Sequence, residues 1–233
     1  DSSDVGRLIN LITELKKQYK DIYVCGTSIF RSLPAEQKEA FLDLFQNKTG
    51  IKFDIVSQEK ENELTVEGAA KKLNRKVAVL VGGGGSTEIS IYENGITEMV
   101  NTPIGVIDII NQYPDLVNDY ATTNVEEVKR AVKEKLNLPK QKADTLILAG
   151  GGHLRFALNS GISYEKNNLY NDKMQPIMMD IETRKKDTER YYKEISLDNI
   201  RNKVEDPNWW DATRAMCAFV LVIAEEIGAK NIV

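Results

Sequence analysis

The feature that most limits what this chain can fold into is VAVLVGGGGSTEISIYENG, residues 77–95. Four consecutive glycines, then Ser86, Thr87 and Glu88, lie between two apolar, β-branched runs. Val77–Val81 has the pattern of a buried strand. After the glycines, Ile89 and Ile91 alternate with polar neighbours, and Thr97 and Met99 continue the pattern beyond an Asn94-Gly95 hairpin signal. The order is strand, glycine turn, strand. Such a turn lets backbone N–H groups approach an anion with no Cβ in the way. The competing explanation is a tight hairpin that needs positive φ at one or two positions, for which two glycines would serve. Two common nucleotide-binding patterns do not fit. The dinucleotide fold needs a helix directly after its glycines, and the P-loop needs Gly-Lys before its hydroxyl residue. Neither follows here.

The rest of the chain alternates in the same α/β manner. Leu8, Ile9, Leu11, Ile12 and Leu15 have helical spacing. Ile22–Gly26 reads as a strand, residues 35–50 as a helix ending near Gly50, and Ile51–Val56 as a strand. Strand, helix and strand so close together imply a parallel βαβ pair. Residues 59–73 are expected to be helical, 115–137 charged and helical, and 145–152 a second strand running into glycines. Residues 159–175 read as loop and 183–204 as a solvated, partly helical region. A long helix is expected to start at Asp206-Pro207 and end near Gly228. Polar stretches near 59–75 and 159–203 suggest two lobes, residues 1–60 and 61–233.

Composition removes several function classes. With 31 basic and 35 acidic residues the net charge is −4, and no basic stripe with interleaved aromatics appears, which argues against nucleic acid as a partner. The longest apolar run, Met216–Ala224, falls short of the ~20 residues of a membrane span. Cys25 and Cys217 sit in apolar runs without metal-ligand spacing, so both are expected to pack in a core in a reducing compartment, with the cytoplasm as location. His153, the single histidine, reads as a loop or helix-start residue, and Trp209 and Trp210 as packing anchors.

Three segments in order carry a resemblance: TSIFR (27–31), IVSQEKENELTVEG (55–68) and GGGSTE (83–88). They resemble the T-S-A-x-R, I-S-G-x-E-E-A-x-L and D-x-G-G-G-S-T-E motifs of the exopolyphosphatase/guanosine pentaphosphate phosphohydrolase (Ppx/GppA) family. Gly105 and AGGGHLRFAL (149–158) resemble later family glycines. The resemblance implies a two-lobed actin-like ATPase (ribonuclease H-like) α/β fold with mixed sheets flanked by helices. It implies hydrolysis of terminal phosphoanhydrides in polyphosphate or a guanine alarmone nucleotide, with Mg²⁺ as cofactor, and it allows a homodimer. By motif match, Glu61 aligns with the glutamate that activates water and Arg31 with an arginine that contacts phosphate. Thr27, Ser28, Gly83, Gly84, Gly85, Ser86 and Thr87 fall at phosphate-binding positions, and Glu88 near the metal. Plainer roles compete at several of these: a surface helix carboxylate for Glu61, a solvated helix-end arginine for Arg31, and helix capping for Thr27 and Ser28.

The chain departs from the family at Val81, which stands where the family has its metal-site aspartate, and at Gln58 and Asn62, where it has glycine and alanine. The family's N-terminal phosphate loop has no counterpart before Thr27, which implies an incomplete first lobe and a fragment of a longer polypeptide. Two functions follow: a hydrolase, and a degenerate module that binds a phosphorylated ligand without turning it over. A kinase fits the S-T-E hairpin less well.

Overall fold

The computed structural model describes residues 2–150, 165–166, 169, 177–202 and 211–233. The chain divides into two compact units, residues 1–61 and 62–233.

In the first unit, α1 (Ser2–Leu15) and α3 (Ala35–Thr49) cover one face of a parallel pair formed by β1 (Val24–Gly26) and β2 (Phe53–Ile55). The parallel βαβ expectation holds. Its core is a cluster of phenylalanines: Phe53 lies 4.8 Å from Phe41 and 5.1 Å from Phe45, ring centre to ring centre. Phe30, on the short helix α2 (Ser28–Arg31), joins them at 5.0 Å from Phe41 and 4.7 Å from Phe53. Gly26 makes room for this. A Cβ there would stand 2.4 Å from the Phe30 ring. Cys25, expected in a core, is exposed, because strand alternation turns it away from the face that Val24 and Gly26 bury.

The second unit is built on a mixed sheet whose described strands run β5-β4-β3-β6-β9-β8-β7. They are β3 (Val77–Gly82), β4 (Thr87–Tyr92), β5 (Ile96–Thr102), β6 (Thr145–Ala149), β7 (Glu165–Lys166), β8 (Ile177–Asp180) and β9 (Asn231–Ile232). β3 pairs antiparallel with β4 and parallel with β6. Asn94, at φ 58°, and Gly95, at φ 150°, turn β4 into β5 where the sequence places the hairpin. Ile89 and Ile91 enter the larger core with α5 (Val106–Gln112), α6 (Val125–Lys135), α7 (Ile181–Lys193) and α9 (Thr213–Ile227). Val77, Val79 and Tyr92 face the opposite way, onto Val66 and Ala70 of α4 (Gln58–Ala70). β4 is therefore buried on both faces rather than half-exposed, and its polar Thr87, Glu88 and Ser90 are buried with it.

Other expectations need correction. Within 115–137 only Pro114–Val117, a 3₁₀ turn, and α6 are helical. Within 159–175, residues 165–166 form a strand paired with β8. The stretch 183–204 forms α7 and α8 (Leu197–Arg201), but its charge pattern hides buried Arg184, Asp187, Thr188, Tyr191 and Tyr192. α9 ends before Gly228 as expected. Its expected start at Asp206-Pro207 lies outside the described residues, as do His153, Trp209 and Trp210.

One charged side chain ties these pieces together. Arg214 is fully buried, and all five of its N–H donors reach backbone carbonyls: those of Tyr191, Leu116, Asn118, Asp119 and Ile195. Five carbonyl dipoles replace the water that a buried guanidinium loses. They hold the 116–119 segment and the end of α7 against α9.

The same connection carries a pH signature. Burial pushes the Asp115 carboxyl up, but hydrogen bonds from the backbone N–H and hydroxyl groups of Thr122 and Thr123 outweigh it and hold the group at about 2. A depressed carboxyl stabilises the fold above its unfolded pKa of ~3.9, and that contribution is lost as pH falls toward the folded value. Asp115→Asn should lower unfolding free energy by roughly 1–2 kcal/mol at neutral pH, and the gap should close between about pH 4 and pH 2. Denaturant melts of both proteins across that range check it.

Candidate phosphate site

The glycine turn is closed by the Gly83 N–H donating to the Ser86 carbonyl at 2.9 Å, one step beyond the Gly82–Thr87 pair. None of Gly82–Gly85 is among the positive-φ residues, so left-handed backbone is not what the glycines supply. They supply clearance. A Cβ on Gly82 would meet the Met216 side chain at 2.7 Å, and one on Gly84 would meet Ile107 at 2.9 Å.

The turn is held from below by α5. The N–H of Val106 donates to the Gly83 carbonyl at 3.1 Å, and that of Ile107 to the Gly84 carbonyl at 2.9 Å. Gly105 permits this approach, since its Cβ would lie 2.3 Å from the Gly84 oxygen. The Asp108 carboxylate fixes Gly105 by accepting its N–H at 2.9 Å. In a planar trans peptide the C=O and the following N–H point in opposite directions. With the Gly83 and Gly84 carbonyls drawn onto α5, the N–H groups of Gly84 and Gly85 face the other way. Neither donates to any described residue. Two aligned amides on an unobstructed turn are a concave donor pair for an oxyanion.

The hydroxyls beside them are placed differently. Thr87 is buried and donates to the Ile104 carbonyl at 2.7 Å, so a phosphate contact from this residue would come from its backbone. Ser86, at the turn itself, is partly exposed. Thr27 occupies the N-cap of α2 without a side-chain capping bond, and Ser28 is exposed in its first turn.

Arg31 and Glu61 come together within the first unit. Phe30, anchored in its aromatic cluster, sets the direction of α2, and Arg31 reaches Glu61 Oε2 at 2.8 Å and the Val56 carbonyl at 3.0 Å. Glu61 lies in the opening turn of α4, which begins where the Ser57 hydroxyl accepts the Lys60 N–H and the Ser57 carbonyl accepts the Glu61 N–H. Both side chains stay partly open, at 24% and 30% exposure. The two side chains, read from sequence as a helix-end arginine and a surface helix carboxylate in their plainer roles, are thus joined as an ion pair.

Glu88 is 5% exposed and sits directly across from Val81 on one side and Asn101 on the other. Among the described residues no three His, Cys, Asp or Glu side chains gather as a metal cage. Mg²⁺ commonly takes one or two protein carboxylates and completes its shell with water and substrate phosphate. Glu88 fits that partial role, and Val81 contributes nothing to it.

Sequence reading missed three features. The α5 N-terminus was legible only as a Gly105-x-x-Asp108 spacing, half of a capping box. Met216 and Ile107 could not be placed against the glycines from spacing alone. Asn62, noted as a departure, is fully buried and joins a chain of amides: the Ser90 hydroxyl donates to its oxygen at 3.1 Å and its nitrogen to Asn101 at 3.2 Å.

Gly105→Ala should be destabilising by about 1–3 kcal/mol or more, because Cβ has only backbone to displace. Gly85→Ala, with nothing within 4 Å, should leave the melting curve unchanged. Paired thermal melts test the contrast, and equal destabilisation by both would contradict the support described for the turn.

A comparison with curated protein sequences gives no match. Among solved structures, the Aquifex aeolicus Ppx/GppA enzyme superposes with a TM-score of 0.73 at 19% identity, covering 98% of this chain and 78% of that one. Its type II crystal variant gives 0.71 at 20%, over 98% and 77%. An exopolyphosphatase from Cytophaga hutchinsonii gives 0.72 at 15%, over 98% and 76%. At such identities the likeness establishes the mixed α/β fold, with its mixed sheet flanked by helices. The family model described as the Ppx/GppA phosphatase family matches residues 5–205, and the chain belongs to that family.

Proposed function

We propose that this protein hydrolyses terminal phosphoanhydride bonds of inorganic polyphosphate or guanosine pentaphosphate. The observation that carries this reading is the pair of outward-facing amides, Gly84 and Gly85, made available by the hold of α5 on the two preceding carbonyls. Family membership supports the same reaction class. In this scheme the turn amides and the Ser86 hydroxyl donate hydrogen bonds to oxygens of the phosphate chain, and Arg31 supplies a permanent positive charge. The Glu61 carboxylate orients a water and takes its proton as the water oxygen bonds to the terminal phosphorus. The bridging P–O bond breaks, releasing orthophosphate and a chain shorter by one unit. Mg²⁺, when bound by Glu88 and the substrate, would neutralise charge that builds on the phosphate oxygens.

One observation favours a second reading. Val81 faces Glu88 in register and offers no carboxylate, so the protein could bind phosphorylated ligands without cleaving them. Orthophosphate release from polyphosphate and from guanosine pentaphosphate, with Mg²⁺, separates the two. On the hydrolase reading the protein releases phosphate and Glu61→Gln lowers kcat by at least about 100-fold. An inactive protein that gains turnover as Val81→Asp would establish the binding module instead.

A further inference from the structure

Two arginines are buried where α7 meets α9, and they are satisfied very differently. Arg214 spends every donor on a backbone carbonyl. Arg184, 5% exposed, reaches one partner among the described residues: its Nη2 donates to the Cys217 sulfur at 3.4 Å. Burial pushes the Cys217 thiol up, so that sulfur is a neutral and weak acceptor. A buried guanidinium with so little compensation is costly. Two neighbours on the same face of α7, three and four residues on, share the deficit. Asp187 is 6% exposed and gives Oδ1 to Arg190 at 3.1 Å, but its Oδ2 has no hydrogen-bond partner among the described residues. The same holds for Oγ1 of Thr188, which is fully buried, and for Nε of Arg184. All three side chains lie close enough to Cys217 to perturb its thiol, so the deficits gather at one point of the α7–α9 contact.

We propose that this cluster is a binding site for one internal water, which accepts from Arg184 Nε–H, donates to Asp187 Oδ2 and completes its shell on the Thr188 hydroxyl. Three hydrogen bonds are the usual complement of a buried water. The cluster offers a donor, an acceptor and a hydroxyl that can be either, and water is the small ligand that matches all three. A halide would satisfy Arg184 and Thr188 but would face the like charge of the Asp187 carboxylate. A direct Arg184–Asp187 pair is the remaining solution. The two are instead drawn apart, Arg184 to the Cys217 sulfur and Asp187 to Arg190. The water holds Arg184 against Cys217, the residue after Met216, whose side chain lies against Gly82. It therefore ties α7 to the turn of α9 that packs on the root of the glycine turn.

The test is a pair of water–protein NMR experiments, NOE and ROE, on the full chain labelled with ¹³C and ¹⁵N. The Arg184 Hε and the Thr188 methyl should each give a cross-peak at the water frequency whose sign differs between the two spectra, which marks a resident water and not proton exchange. Thr188→Val keeps the shape and removes the hydroxyl, and it should lose the Arg184 cross-peak. Thr188→Ser restores the hydroxyl and should keep it. Unchanged methyl signals elsewhere show that both variants remain folded. A dry cluster, with Arg184 Hε silent at the water frequency and in contact with Asp187, would overturn the proposal. So would a cross-peak that survives in Thr188→Val or disappears in Thr188→Ser. An Arg184 Nε signal that shifts to saturation with bromide at constant ionic strength would overturn it too, by making the site one for an anion.

Discussion

Two backbone hydrogen bonds, from Val106 to Gly83 and from Ile107 to Gly84, determine what the glycine turn can do. A run of glycines has the greatest conformational freedom of any sequence and would lose the most entropy on ordering. The first turn of α5 fixes it by donating to two of its carbonyls from N–H groups that a helix start leaves without intrahelical partners. The peptide plane then fixes where the next two amides point. Gly105 is the enabling residue, because any side chain there would collide with the backbone it supports.

The sheet and its helices serve as the frame for that contact. α5 is anchored by Val106 and Ile109 in the same core as Ile89 and Ile91 of the hairpin strand, so both partners of the contact rest on one packed surface. Arg214 adds a polar tie just beyond α5, where it donates to the carbonyls of Leu116, Asn118 and Asp119. Each buried carbonyl left without its donor would cost about 1–3 kcal/mol. In the first unit the aromatic cluster performs the corresponding task for Arg31, through Phe30.

How much of this could be read from sequence depended on distance along the chain. VAVLV and STEISIY named both hairpin strands, because strand pattern and turn chemistry are local. The T-S-I-F-R segment suggested Arg31, and Glu61 followed from its motif, yet nothing in either spacing indicated an ion pair between residues 30 positions apart. Ser90 and Asn101 looked like solvent-facing positions of alternating strands. Ser90 is fully buried and Asn101 partly so, both tied to Asn62 of α4, a tertiary fact that alternation cannot report. Cys25 failed in the opposite sense: its run is apolar, but the alternation within β1 turns it outward. Residues 183–204 looked solvated because charge dominates their composition, while the periodic Arg184, Asp187, Thr188 and Tyr191 form the buried stripe of α7.

Val81 is the point where family resemblance and chain chemistry part, and the turn is the point where they agree. The central claim is therefore about the turn: its amides are aimed to receive a phosphate oxygen. The most direct measurement is a crystal soaked with tungstate, an oxyanion whose anomalous scattering locates it without ambiguity. The tungstate should lie within hydrogen-bonding distance of the Gly84 and Gly85 nitrogens. Tungstate bound elsewhere, with the turn left bare at the same concentration, would contradict it.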